Sequence, residues 1–86
     1  MIKVYLVEDQ ALVRDAVAAL LSLDFNIEVI GQASNGQDAL TAITNLTDDS
    51  MPDIILTDIE MPNMNGIELS EQIAVKFPAI KMVIMT

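Results

Sequence analysis

The sequence predicts an α/β protein, a parallel sheet whose strands alternate with helices packed on both of its faces. Three observations predict it. Short apolar runs recur at Val4-Tyr5-Leu6-Val7, Ile54-Ile55-Leu56 and Met82-Val83-Ile84-Met85, the form of strands buried on both sides. Between them lie stretches whose apolar residues return every three or four positions, the period of a helix with one buried stripe. The order is strand and helix repeated, then a closing strand, and that alternation calls for parallel strands joined by right-handed crossovers.

The elements follow in order. Val4–Val7 is the first strand, and Leu12, Val13, Ala16, Val17, Leu20 and Leu21 mark the stripe of the first helix. Asp24-Phe25-Asn26 closes that helix, and Val29-Ile30 with Gly31 and Ala33 forms a second strand. Asn35-Gly36 punctuates before a second helical face at Ala39, Leu40, Ile43 and Leu46. Thr47-Asp48-Asp49-Ser50 is a polar loop ending near Pro52, and Ile54–Leu56 is the third strand. Asn65 with Glu68 three residues on has the form of a capping box. Leu69, Ile73 and Phe77 line the third helix until Pro78 stops it, and Met82–Met85 is the fourth strand before Thr86.

The composition bounds the rest. Eighty-six residues, 52% of them hydrophobic, make one globular domain at most. No apolar stretch is long enough to cross a bilayer, and the first residues lack a signal-peptide pattern. The absence of cysteine removes disulfides and thiolate metal sites, and a cytoplasmic location is expected. Four basic residues stand against thirteen acidic ones, for a net charge of −9. Lys3, Arg14, Lys76 and Lys81 form no basic stripe, so this segment is not expected to bind nucleic acid itself. Clustered carboxylates suit a divalent cation. The six methionines read as core filler.

Ligands of open α/β sheets bind beyond the carboxyl ends of the strands. Glu8 and Asp9 follow the first strand, Asp58 the third and Thr86 the fourth. If the first and third strands are neighbours, three carboxylates converge, and like charges so close repel unless a cation or proton intervenes. A carboxylate beside a metal can also act as a nucleophile toward phosphorus. Taken singly, Asp9 reads as a helix cap, Asp58 as a strand-end loop residue and Thr86 as an ordinary strand threonine. The combination favours chemistry.

With these residues in place, the chain resembles the receiver domain of two-component response regulators. The resemblance is carried by Val4–Gln10, by Ala33-Ser34-Asn35-Gly36, by Asp53–Gly66 and by Val83-Ile84-Met85-Thr86. Within the third block an Asp is followed by Pro62 four residues later and Gly66 eight residues later. The resemblance implies a flavodoxin-like doubly wound sheet and gives each site residue a role. Asp58 is the phosphoacceptor, which takes a phosphoryl group from a sensor histidine kinase. Asp9 is a direct Mg²⁺ ligand (Mn²⁺ can substitute), Glu8 assists through water, and Glu60 lends its backbone carbonyl. Thr86 contacts the phosphoryl group and acts as the switch.

The Glu8–Gly36 segment is most similar to regulators that carry a LuxR-type helix-turn-helix domain, so DNA binding and transcription regulation belong to an output domain outside this sequence. Residues 1–86 are expected to be the N-terminal part of a receiver. A full receiver adds a fifth strand ending in Lys and further helices, which this sequence lacks. Poor phosphorylation is therefore expected of residues 1–86 alone, together with homodimerisation through the open fourth strand or by segment exchange. Two other functions compete. A haloacid-dehalogenase-like phosphatase would need an Asp-x-Asp pair after its first strand, whereas here Asp58-Ile59-Glu60 follows the third. An interaction module that accepts no phosphate would not need the acidic pair. No glycine-rich turn follows the first strand, so dinucleotide binding is disfavoured.

Overall fold

The computed structural model describes residues 1–85. Its elements run β1 (Ile2–Val7), α1 (Ala11–Leu21), β2 (Ile27–Ala33), α2 (Gly36–Thr44), β3 (Ile54–Asp58), α3 (Gly66–Lys76) and β4 (Lys81–Met85), with one 3₁₀ turn at Asp48–Ser50. The strands form one sheet in the order β2-β1-β3-β4, and every pairing is parallel. This is the predicted alternation, and β1 and β3 are neighbours.

Strand alternation divides the sheet into two faces. Tyr5, Val7 and Ile55 point to the side where α2 and α3 lie and pack with Ala39, Leu40, Ile43, Leu69, Ile73 and Ile80. Leu46 and Phe77, expected in the helical stripes, pack half-buried against this core, as do Met51, Met61, Met64 and Met82. Met1 is exposed, so the methionines are only partly core filler.

The first helix keeps only Val17 and Leu21 of its predicted stripe on its inward face. None of its residues is buried, and Leu12, Val13 and Leu20 are exposed. The face turned inward is Arg14, Val17, Ala18 and Leu21, all half-buried. An almost wholly apolar helix offers two stripes of equal period, and hydropathy alone does not choose between them.

Polar groups fix the ends. Asp53 ties the amino end of the sheet: its carboxylate accepts the Lys3 N–H at 2.8 Å, its N–H donates to the Lys3 carbonyl at 2.8 Å, and its carbonyl accepts the Lys81 N–H at 3.0 Å. The capping box at α3 forms as predicted, with the Asn65 side chain accepting from the Glu68 N–H at 2.8 Å and Glu68 Oε1 accepting from the Asn65 N–H at 3.2 Å. Such a cap is worth about 1 kcal/mol.

Candidate functional site

The register of the two central strands builds the site. Parallel pairing of β1 with β3 ends at Val7 against Thr57. Glu8 and Asp58 are therefore the next residues on adjacent strands, whose spacing is about 4.8 Å. The Glu8 N–H donates to the Ala33 carbonyl of β2 at 3.0 Å, which keeps this residue in line with the sheet before the chain turns at Asp9. One carboxylate oxygen from each of Glu8, Asp9 and Asp58 lies within 4.8 Å of the others.

The three carboxylates differ in surroundings. Glu8 is only 5% exposed, Asp58 is half-buried and Asp9 is exposed. Burial pushes the Glu8 carboxyl above its ordinary range. The Gln10 N–H, donating to Glu8 Oε2 at 3.2 Å, works against that rise. A hydrogen bond with Asp9 and the charges of Asp58 and Asp9 add to it. The Ile59 N–H holds Asp58 Oδ1 at 2.8 Å, and the hydroxyl of buried Thr57 donates to the Asp58 carbonyl at 2.9 Å. Side chain and backbone of Asp58 are thus both anchored.

Each residue singled out in the sequence has a definite place, with one exception. Asp9 does not cap α1: the N-cap is Gln10, which makes no side-chain capping bond. That leaves the Asp9 carboxylate to the cluster. Glu60 lies in the loop after β3 with its side chain exposed. The Ile59 carbonyl is committed to the Gly66 N–H at 2.8 Å, and among the described residues no hydrogen bond reaches the Glu60 carbonyl. Thr86 lies outside the described residues.

Two other contributors were given no role at the site from the sequence. Arg14 Nη1 donates to the Glu8 carbonyl at 2.7 Å, steadying the turn out of β1; its position in the first turn of α1 was the available sign. Gly66 is the eighth residue after Asp58, and a Cβ there would overlap the Asp58 carbonyl. The donor set fits a hard divalent cation. It is made only of oxygens, and a buried carboxylate beside two more is an arrangement that a cation relieves.

Residues 4–86 match the response regulator receiver domain family, and the chain belongs to that family. It is 40% identical over 86 residues to the transcriptional regulatory protein LnrK of Bacillus subtilis, covering 100% of this chain and 37% of that protein. It is 39% identical over 85 residues to the response regulator protein VraR of Staphylococcus epidermidis, covering 99% of this chain and 39% of that one. The chain thus spans about two fifths of the length of these relatives. Among solved structures it resembles a DNA-binding response regulator of the LuxR family from Staphylococcus aureus, with a TM-score of 0.85 at 32% identity over 98% of this chain and 67% of that one. The sheet is the flavodoxin-like sheet of receivers, and the family is a signalling one, not that of the dehalogenase-like phosphatases. Among the described residues no helix is long and apolar enough to cross a membrane.

Proposed function

We propose that residues 1–86 are the N-terminal part of a receiver and that Asp58 accepts a phosphoryl group from a phosphohistidine on a sensor histidine kinase. The convergence of Glu8, Asp9 and Asp58 within 4.8 Å at the carboxyl ends of β1 and β3 carries this reading. In the transfer, the P–N bond of the phosphohistidine breaks, a bond forms from phosphorus to an Asp58 carboxylate oxygen, and the departing imidazole takes up a proton. The Ile59 N–H on Oδ1 fixes the rotation of the nucleophilic carboxylate, so its orientation is set before the donor arrives.

Asp9 and Asp58 would hold Mg²⁺ or Mn²⁺ directly, Glu8 through water and Glu60 by its carbonyl. When bound, the ion supplies positive charge against the carboxylates and the phosphoryl oxygens. Thr86, by its resemblance to the family position, contacts the phosphoryl group and passes on its presence. The regulator works in the cytoplasm as a signalling protein rather than an enzyme, and its output is a DNA-binding domain that regulates transcription.

Labelling tests the reading. A small phosphodonor or a phosphorylated kinase, acting on the receiver with Mg²⁺, should mark Asp58, and Asp58→Asn should abolish the mark. Mass spectrometry that finds the label on Asp9 or Asp53 would overturn the assignment.

A further inference from the structure

The loop between Asp58 and α3 is held from two sides by glycines distant in sequence. At its end, the Gly66 N–H donates to the Ile59 carbonyl at 2.8 Å. Near that end, the Met64 carbonyl accepts the N–H of Gly36, the first residue of α2, at 3.0 Å. A Cβ on Gly36 would lie 2.5 Å from that carbonyl oxygen and 2.9 Å from both Cβ and Cγ of Met64. The nearest of these is a backbone atom, which cannot turn aside as a side-chain tip does, so a methyl group there displaces the loop itself. The preceding turn is tightly defined, with Asn63 at φ 67° and the Met64 N–H on the Pro62 carbonyl at 2.8 Å. The other partner is equally fixed. Asn35 caps α2 by accepting the Asp38 N–H at 2.8 Å and donates to the Asp38 carboxylate at 3.1 Å.

We infer that Gly36 is a positioning residue for the cation site: its close contact with Met64 sets the course of the loop that runs from Asp58 through Glu60 to Gly66, whose N–H holds the Ile59 carbonyl. The inference rests on the cation reading above and adds a residue from a different helix. Coupling of this kind is reciprocal. Occupancy of the carboxylate cluster should therefore stabilise the hydrogen bond from Gly36 to Met64.

The test uses Mg²⁺ alone as the probe, with calorimetric or NMR titration of three proteins. Gly31→Ala is the control, because a Cβ there meets the Tyr5 ring at 2.5 Å within the sheet and so perturbs packing away from the loop. Gly36→Ala should weaken Mg²⁺ binding about tenfold, as loss of a group that orients a metal ligand does, while Gly31→Ala lowers the melting temperature and leaves the affinity unchanged. In the wild type, amide exchange at Gly36 should slow when Mg²⁺ is added, a readout that does not depend on any variant folding. Wild-type binding with unchanged affinity in Gly36→Ala, or exchange at Gly36 indifferent to Mg²⁺, overturns the inference and leaves the cation reading standing. A wild type that binds no Mg²⁺ overturns both.

Discussion

Asp58→Asn should make the protein more stable in the absence of divalent cations. The substitution is nearly isosteric, and Asn Oδ1 can still accept the Ile59 N–H that now holds the carboxylate at 2.8 Å. What disappears is one of three negative charges whose oxygens lie within 4.8 Å. Two unit charges at that distance repel by about 0.9 kcal/mol in water-like surroundings and about 3.5 kcal/mol at an effective dielectric of 20. Asp58 is half-buried and Asp9 exposed, so solvent and salt keep the sum of the two lost repulsions near the low end, at about 1–2 kcal/mol. In a domain of this size that corresponds to a rise of roughly 4–16 °C in melting temperature. Melting followed by circular dichroism, with a chelator and at low salt, measures it.

Adding Mg²⁺ to ten times its dissociation constant should stabilise the wild type by about 1.4 kcal/mol and the variant by far less, so the gap narrows. A variant that melts at or below the wild-type temperature in chelator would refute the argument, because the cluster would then not be under electrostatic strain.

Three further outcomes are expected. Burial holds the Glu8 carboxyl above its ordinary range, so the folded state binds a proton there more tightly than the unfolded chain. The stability this provides is full below the unfolded carboxylate pKa and is lost as pH rises through the folded one; chelated wild type should lose stability over that rise relative to Glu8→Gln, as paired denaturant titrations across pH will show. Asn65→Ala removes the cap acceptor at α3 and should cost about 1 kcal/mol in urea unfolding, with the Glu68 N–H left to water. Among the described residues β4 is paired on one side only, and its Val83 is 46% exposed. The 86-residue polypeptide by itself should therefore dimerise, and Val83→Lys should shift it toward monomer in sedimentation; a wild type that stays monomeric at high concentration contradicts this.

Much of the fold was legible because a central parallel strand is buried on both faces and is written as an unbroken apolar run. Val4–Val7 is such a run, and all four of its residues are buried. The α3 start was legible too, since a capping box is a contact between residues three apart. The packed face of α1 was legible only in part, because the apolar period ran through Leu12, Val13 and Leu20 as well as Val17 and Leu21, and only the latter two, with Ala18, meet the sheet. Asp9 shows a related ambiguity. An aspartate just before a helix is a good cap by local chemistry, yet the helix is capped one residue later at Gln10, and only the position of Asp58 on the next strand gives Asp9 another use. The contact between Gly36 and Met64 joins residues from different elements, and no local periodicity encodes it.

These cases share a cause, and it bears on how the site works. What local sequence specifies is the element, while the site comes from register. Once Val7 pairs with Thr57, Glu8 and Asp58 are set side by side whatever they cost each other, because slipping the strands by one residue would turn Val7 and Ile55 out of the core. The apolar register therefore holds together carboxylates that would separate if free. That imposed closeness makes the cluster sensitive to charge: a cation, a proton on Glu8 or removal of the charge at Asp58 would each relieve the same repulsion. The loop that would feel the change is the one fastened to α2 at Gly36 and to Ile59 at Gly66. A charge event at the strand ends thus has a short covalent and hydrogen-bonded route to two helices.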